Sequence, residues 1–319
     1  MGVTLPDDRR IQEIIDGLLR EAGLDQPTFD TLTDWLRFEY GNRGYHWAHL
    51  PLSVGKILAG PQGFYPEACL PGSVAITLQA FAADIFDDIA DQDNNQVPWR
   101  QISSAQALHL ALSLVTLGYK ALYAVRDHNL YRSASSVLQE MGLRACDGQL
   151  QEMQAGTHFF TSLDQYFEII KKKAGALTEG AYKMGALLGG GSESLVRDIG
   201  QFGLRRGIIS QIKNDLHDCL RFDVKNDFFL GKQTLPFVYL DTVLDGAAAE
   251  EFRSLQALAR QEPQKFSSEN KERLFHILQS EGAAHYCATM CSFFKQEALD
   301  LVEEMSLSKN QKEQLSGLI

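Results

Sequence analysis

The sequence predicts an all-α protein. Helical patterns recur along most of the 319 residues, no segment sustains period-two alternation, and no Asn-Gly or Asp-Gly turn separates β-branched runs. The patterns cover residues 8–22, 28–40, 72–93, 103–126, 130–155, 163–188, 193–222, 233–262, 267–281 and 283–306. Several exceed the roughly 10–14 residues of an average globular helix, as a large bundle requires. The helix at 72–93 carries the almost wholly apolar SVAITLQAFAADIF. That at 103–126 holds the longest apolar stretch, ALHLALSLVTLGYKALYAV, but His109, Ser113, Thr116 and Lys120 interrupt it, so it reads as a core helix and not a membrane span. The segment 163–188 contains the run Lys171, Lys172 and Lys173, and 233–262 is expected to break near Gly246. Breakers stand at 60–72 (GPQGFYPEACLPG), 189–192 (GGGS) and 228–236 (FFLGKQTLP). None is a long low-complexity linker and no repeat of fixed period is present. The simplest organisation is one domain over 1–319, a large antiparallel helical bundle with N-terminal helices in 1–40, core helices in 72–222 and C-terminal helices in 233–319.

Composition narrows the function classes. The chain is 45% hydrophobic and 22% charged, with 41 acids against 30 bases and a net charge of −11. That balance argues against nucleic-acid binding, which needs basic patches facing phosphates. An acidic protein still binds an anionic substrate where metal ions invert the local field. The start MGVTLPDDRRIQEIIDG has no apolar signal core and lacks the Ser or Thr of a myristoylation site, so a cytoplasmic protein without a transmembrane segment is expected. The five cysteines, Cys69, Cys146, Cys219, Cys287 and Cys291, are odd in number and scattered, which fits a reducing compartment. Cys287 and Cys291 lie one turn apart near His285, but no second pair completes a zinc site, and they read as buried structural cysteines.

Chemistry enters at residues 84–93, DIFDDIADQD. Asp84, Asp87, Asp88 and Asp91 fall at i, i+3, i+4 and i+7, on one side of a helix, where unpaired like charges repel. Following an apolar run, such a row of acids needs counter-charge, and hard divalent cations supply it. Asp87, Asp88 and Asp91 also spell DDxxD, a pattern associated with magnesium-assisted departure of diphosphate. In QIKNDLHD (211–218), Asn214, Asp215 and Asp218 repeat the i, i+1, i+4 spacing. If the two helices face each other, six oxygen-bearing side chains converge, a donor set suited to Mg²⁺ bridging phosphates. Either cluster alone is more often a solvated acidic face; the pair is the stronger signal. An EF-hand starting at Asp91 fails because Gln96 and Ile102 occupy the positions that need Gly and Glu.

With both acidic motifs, the chain resembles the trans-isoprenyl diphosphate synthase superfamily, and within it the ComQ-type enzymes that prenylate a tryptophan of a quorum-sensing peptide. The resemblance runs over roughly 45–305. It is carried by ADIFDDIADQDN followed by PW, SSAQALHLALSLVTLGYKALY, DGQLQEM, YFEIIKKKAGAL, QIKNDLHD, GKQTLP and FFKQEALDLVEEM. It implies the isoprenoid-synthase bundle with a central active-site cavity, an allylic prenyl diphosphate substrate, Mg²⁺ (three ions with bound diphosphate) and a homodimer. It further implies that Asp87, Asp88, Asp91, Asn214, Asp215 and Asp218 hold metal, that Lys173, Gln211 and Lys232 contact diphosphate, and that Gln149, matching the family's Gly-Gln pair, binds substrate. Glu152 stands where the family usually has Asp, and Ala174 replaces the Thr of its Lys-Thr pair; Lys232 and Thr234 match its K-x-T-L-P loop. Each lysine has a plainer alternative, since charge runs are usually solvated faces and Lys232 is otherwise an ordinary loop residue.

Departures from the family pattern point to the acceptor. Chain-elongating members carry G-K-R-x-x-R-P early and an Arg-Arg pair after DDxxD, which bind isopentenyl diphosphate. Here those stretches read YGNRGYHWAHLPLSVGK and QDNNQVPWRQ, with Arg43 and Arg100 only loosely placed substitutes. Without bidentate cations a second diphosphate is poorly held. The expectation is therefore ionisation of an allylic diphosphate and transfer to another acceptor, with a tryptophan of a pheromone peptide as one candidate. Ala82 and Ala83, small where the family's aromatic residues stop the tail, imply room for C15 and for C20, with Phe86 as a further wall residue and Phe81 more simply core. A class I terpene cyclase is the main alternative. Its common N-D-x-x-S/T-x-x-x-E frame demands Ser or Thr at 218 and Glu at 222, where the chain has Asp218 and Phe222. Chain elongation ranks third, and an inactive regulatory subunit, a class that loses DDxxD, ranks last.

Overall fold

The computed structural model describes residues 6–41, 43–59, 63, 66–92, 94–155, 162–219, 221 and 227–319. Among them every regular element is helical and no strand occurs. In chain order these are α1 (Pro6–Arg20), α2 (Gln26–Tyr40), α3 (His46–Ala59), α4 (Pro66–Asp91), α5 (Ser104–Ala121), α6 (His128–Ala155), α7 (Leu163–Ile170), α8 (Ala176–Leu188), α9 (Glu193–Asp218), α10 (Asp227–Leu230), α11 (Leu235–Val243), α12 (Gly246–Gln261), α13 (Ser268–Ser280), α14 (Ala283–Glu304) and α15 (Lys309–Ser316). The chain sorts into two compact units: Met1–Leu143 with Leu177–Gly203 and Leu299–Ile319, and Arg144–Ala176 with Leu204–Ala298.

In the first unit α4 is the central helix, packed against α3 and α5. Residues 71–82 of α4 are all buried, as expected of a helix that is apolar on every side. Its buried hydroxyls are satisfied within the helix: Ser73 Oγ donates to the Cys69 carbonyl at 3.0 Å and Thr77 Oγ1 to that of Ser73 at 2.9 Å. α5 begins at a capping box formed by Ser103 and Gln106 and buries Ala107, Ala111, Leu114, Leu117, Gly118 and Ala121, a stripe at helical spacing. Its other face leaves Leu108 43% and Leu112 56% exposed, so it is a core helix along one side only. α4 and the helical stretch Ser104–Ala124 are each long and apolar enough to cross a membrane, but the most apolar part of α4 is 83% buried inside the protein, against 39% for the second.

The second unit packs α11 on α7 and α12 on α10 and α13. Its core joins Phe228, Phe237, Leu240, Phe252, Leu255 and Leu274. α7 starts at a capping box of Ser162 and Gln165.

The structure departs from the sequence expectations in several places. The helix α3, with Pro51 inside it, lies where no helix is expected, since Pro in a helix interior removes a hydrogen bond and weakens the pattern. The segment 163–188 is not continuous: five residues, Lys171–Gly175, form a π-helix between α7 and α8. The break expected near Gly246 is present, with α11 ending at Val243 and α12 starting at Gly246, whose φ is +50°. The short helices α10 and α15 are additional. The expected helix ends at Asp93 and Phe222, and positions 60–62, 64 and 65 of the breaker, lie outside the described residues.

Candidate active site

In the first unit, the last two turns of α4 carry the first acidic motif. Asp87 and Asp91, one turn apart, each offer a carboxylate oxygen within 4.8 Å of the other's, a spacing that one small cation can bridge. Asp88 is 8% exposed and faces elsewhere: its Oδ1 accepts from Asn94 Nδ2 at 2.5 Å and its Oδ2 from Trp99 Nε1 at 2.7 Å. Asp84 retains exposed surface, yet protein crowds around it. The cost of removing its charge from water raises its carboxyl pKa well above the usual range, and Glu39, Asp87 and Asp88 add to the rise while Arg43 opposes it. Glu39 is raised as well, first by burial. This end of α4 thus carries surplus negative charge, the setting a divalent cation relieves.

Arg43 and Arg100, expected only as loosely placed substitutes for the elongating members' clamp, each have a partner. Arg43 lies 3.6 Å from Glu39, and Arg100 donates to Asn95 Oδ1 at 3.3 Å. The family-implied wall residues differ in placement: Ala82 has no exposed surface and belongs to the core, while Ala83 and Phe86 are partly exposed. Phe81 is a core residue, edge-on to Tyr40 and Trp99.

In the second unit, α9 carries the second motif. Asp215 is 5% exposed, with Oδ1 accepting from Gln211 Nε2 at 2.8 Å and Oδ2 from Tyr166 Oη at 2.7 Å and the Leu235 backbone N–H at 2.8 Å. Burial pushes its carboxyl up to about 6 against these hydrogen bonds. Asp218 is half-buried beside His217 at 3.0 Å, and Asn214 is exposed.

The lysines are held by neighbouring acids. In the π-helix, Lys171 bonds Glu168 at 2.7 Å, Lys172 bonds Asp147 at 2.8 Å and Lys173 bonds Glu152 at 2.6 Å. Of these, Lys173 is the most enclosed, its side chain 16% exposed. The wider turn needs room: a Cβ on Gly148 of α6 would lie 2.5 Å from the Lys173 backbone nitrogen, so only glycine lets α6 approach. Lys232 follows Gly231, which has φ +70°, and its Nζ sits 3.0 Å from Asp227 Oδ1. Gln149 Nε2 and Thr234 Oγ1 are among the buried polar atoms that make no hydrogen bond with the described residues. Buried donors left unmade are costly, and an incoming oxyanion would satisfy both. The oxygen-only acidic motifs suit magnesium, and the lysines with these two donors suit diphosphate.

The sequence matches the polyprenyl synthetase family over residues 52–277. The chain belongs to the polyprenyl synthetase family. It is an all-α prenyltransferase of that type, and members of the family use a divalent metal with diphosphate. It is 26% identical over 239 residues to the tryptophan prenyltransferase ComQ of Bacillus subtilis (strain 168), covering 75% of this chain and 76% of that one. It is 24% identical over 284 residues to a geranylfarnesyl diphosphate synthase of Aeropyrum pernix, covering 85% and 86%. A crystal structure of a geranylgeranyl pyrophosphate synthase superposes with a TM-score of 0.82 at 20% identity, covering 100% of this chain and 97% of that one, and shares the fold.

Glu39, Asn94, Trp99 and Tyr166, which surround the acids, were not singled out from sequence. The pair Pro98-Trp99 next to DDxxD was the available signal, because a Trp beside acids needs a hydrogen-bond acceptor when buried.

Proposed function

We propose that this polyprenyl synthetase-type enzyme ionises an all-trans allylic prenyl diphosphate of C15 or C20 and transfers the prenyl group to an acceptor other than isopentenyl diphosphate, with the indole of a peptide tryptophan as the favoured acceptor. The observation that carries the acceptor assignment is the setting of Asp88. Where elongating members place an arginine pair, this chain turns Asn94 and Trp99 onto Asp88, and Arg100 onto Asn95. A second diphosphate would there meet Glu39 and Asp84, with Arg43 as the one guanidinium beside them and no arginine pair.

In this reading Asp87, Asp91, Asn214 and Asp218 supply metal ligands, with Asp88 and Asp215 beside them. Bound magnesium would neutralise charge developing on the leaving diphosphate. Lys173, Lys232 and Gln211 hold its oxygens, and Gln149 Nε2 and Thr234 Oγ1 gain acceptors. Apolar and aromatic residues around the tail exclude water from the allylic cation. The enzyme works as a homodimer, with the outer face of α5 as the area for a second copy; Leu108 and Leu112 are exposed there beside His109 and Thr116.

The test is release of diphosphate from C10, C15 and C20 substrates with Mg²⁺, alone and with isopentenyl diphosphate or a tryptophan-containing peptide. A prenylated peptide supports the proposal. Hydrocarbon from one substrate alone indicates a cyclase, and longer diphosphates indicate chain elongation.

A further inference from the structure

α4 ends at Asp91. Gln92 and Asn94 both take left-handed backbone conformations, φ +53° and +50°, uncommon for residues other than glycine. That turn brings the chain back so that Asn94 and Trp99 both reach Asp88. The Trp99 ring is 3% exposed and fixed from three sides, with centroids 5.8 Å from Trp35, 5.8 Å from Phe38 and 5.2 Å from Phe81, all edge-on. Its only polar atom therefore points where the packing aims it, onto Asp88 Oδ2 at 2.7 Å.

We propose that Trp99 is a positioning residue of the ionisation site. Its indole N–H, assisted by the Asn94 amide, clamps Asp88 against the returning loop. That clamp fixes the last turn of α4 so that Asp87 and Asp91 present their carboxylates together. Asn94, one of the two left-handed residues, itself makes one of the two hydrogen bonds to Asp88, so backbone strain and acid orientation are coupled. A carboxylate whose orientation is fixed by an aromatic N–H outside the ligand set behaves as the outer partners of metal sites do, where removing the partner weakens binding or activity by about 10–100-fold. The inference rests on the proposed function, in that the cation it serves is the one that assists ionisation.

Trp99→Phe keeps the ring and removes the N–H. It is expected to lower Mn²⁺ affinity, read by electron paramagnetic resonance, about tenfold, and to raise the Mg²⁺ needed for half-maximal diphosphate release by a similar factor. KM for the allylic diphosphate at saturating Mg²⁺ should stay close to wild type. The protein has three tryptophans, so three indole N–H signals are expected in a ¹⁵N-labelled sample. Trp99→Phe identifies the third, and Asp88→Asn should move that signal upfield as the charged acceptor is lost. Asp88→Asn and Trp99→Phe should also be non-additive in the double variant. A Trp99→Phe protein with wild-type Mn²⁺ affinity, or an indole signal indifferent to Asp88→Asn, would overturn the proposal. If instead the wild type releases no diphosphate from any prenyl substrate, the proposed function fails, while metal affinity and the indole signal still decide the role of Trp99.

Discussion

Replacing Gly148 with alanine tests whether the π-helix serves catalysis. The added Cβ would sit 2.5 Å from the Lys173 nitrogen, 2.8 Å from the Lys172 carbonyl carbon and 2.9 Å from the Lys173 Cα. All three are backbone atoms, so no side-chain rotation relieves the contact. Ordinary contact begins at 3.4 Å, so α6 and the π segment must separate by about 0.9 Å. Overpacking of this kind costs about 1–3 kcal/mol, which lowers Tm by several degrees in a protein of this size. The larger effect falls on Lys173, which is tied to Glu152 at 2.6 Å across that approach. A displacement of about 1 Å in a positioning group costs up to about 100-fold in rate. Gly148→Ala should therefore reduce kcat for diphosphate release by one to two orders of magnitude while helical circular dichroism persists. The assay is steady-state release of diphosphate from farnesyl diphosphate beside a thermal melt. Wild-type kcat together with a wild-type melt would refute the coupling between the π-helix and the site.

Asp87→Ala should lower diphosphate release by at least about 100-fold with the far-ultraviolet spectrum unchanged, and a collapsed fold would mean the acids serve structure instead. Chelation with EDTA should stop turnover, and added Mg²⁺ should restore it. Leu112→Glu places a charge on the exposed face of α5 and should shift the proposed dimer toward monomer in sedimentation, leaving each chain folded. Burial raises the Cys69 thiol to about 11, and deprotonation is what makes a thiol reactive, so its labelling should stay slow at pH 8 and accelerate only as pH approaches that value. Exposed Cys146 should label first, which mass mapping of the modified peptide checks.

The helical class was legible because apolar runs such as SVAITLQAFAADIF have the length and continuity of buried helices, and α4 fulfils that pattern. Both acidic motifs could be read from i, i+1, i+4 spacing, which survives any local distortion of a helix. What spacing could not convey is which way each acid turns. Asp88 and Asp215 engage protein donors, and beside the nearby Asn94 and Gln211 these come from Trp99, Tyr166 and Leu235, 11, 49 and 20 residues away in sequence. The π-helix was equally hidden, since KKKAG has no pattern of its own and the distortion depends on Gly148 in another helix. Pro51 concealed α3 by weakening its helical signal, although the helix forms around it. The resemblance singled out Lys173 from its run, and the structure gives each of the three lysines a separate acid.

The most direct test of the central claim is product identification by mass spectrometry with Mg²⁺ and C15 or C20 diphosphate, offering isopentenyl diphosphate and a tryptophan-containing peptide in the same reaction. The account predicts a peptide heavier by one prenyl group, free diphosphate, and no lengthened prenyl diphosphate. Efficient conversion of isopentenyl diphosphate into longer prenyl diphosphates, with the peptide untouched, would contradict it.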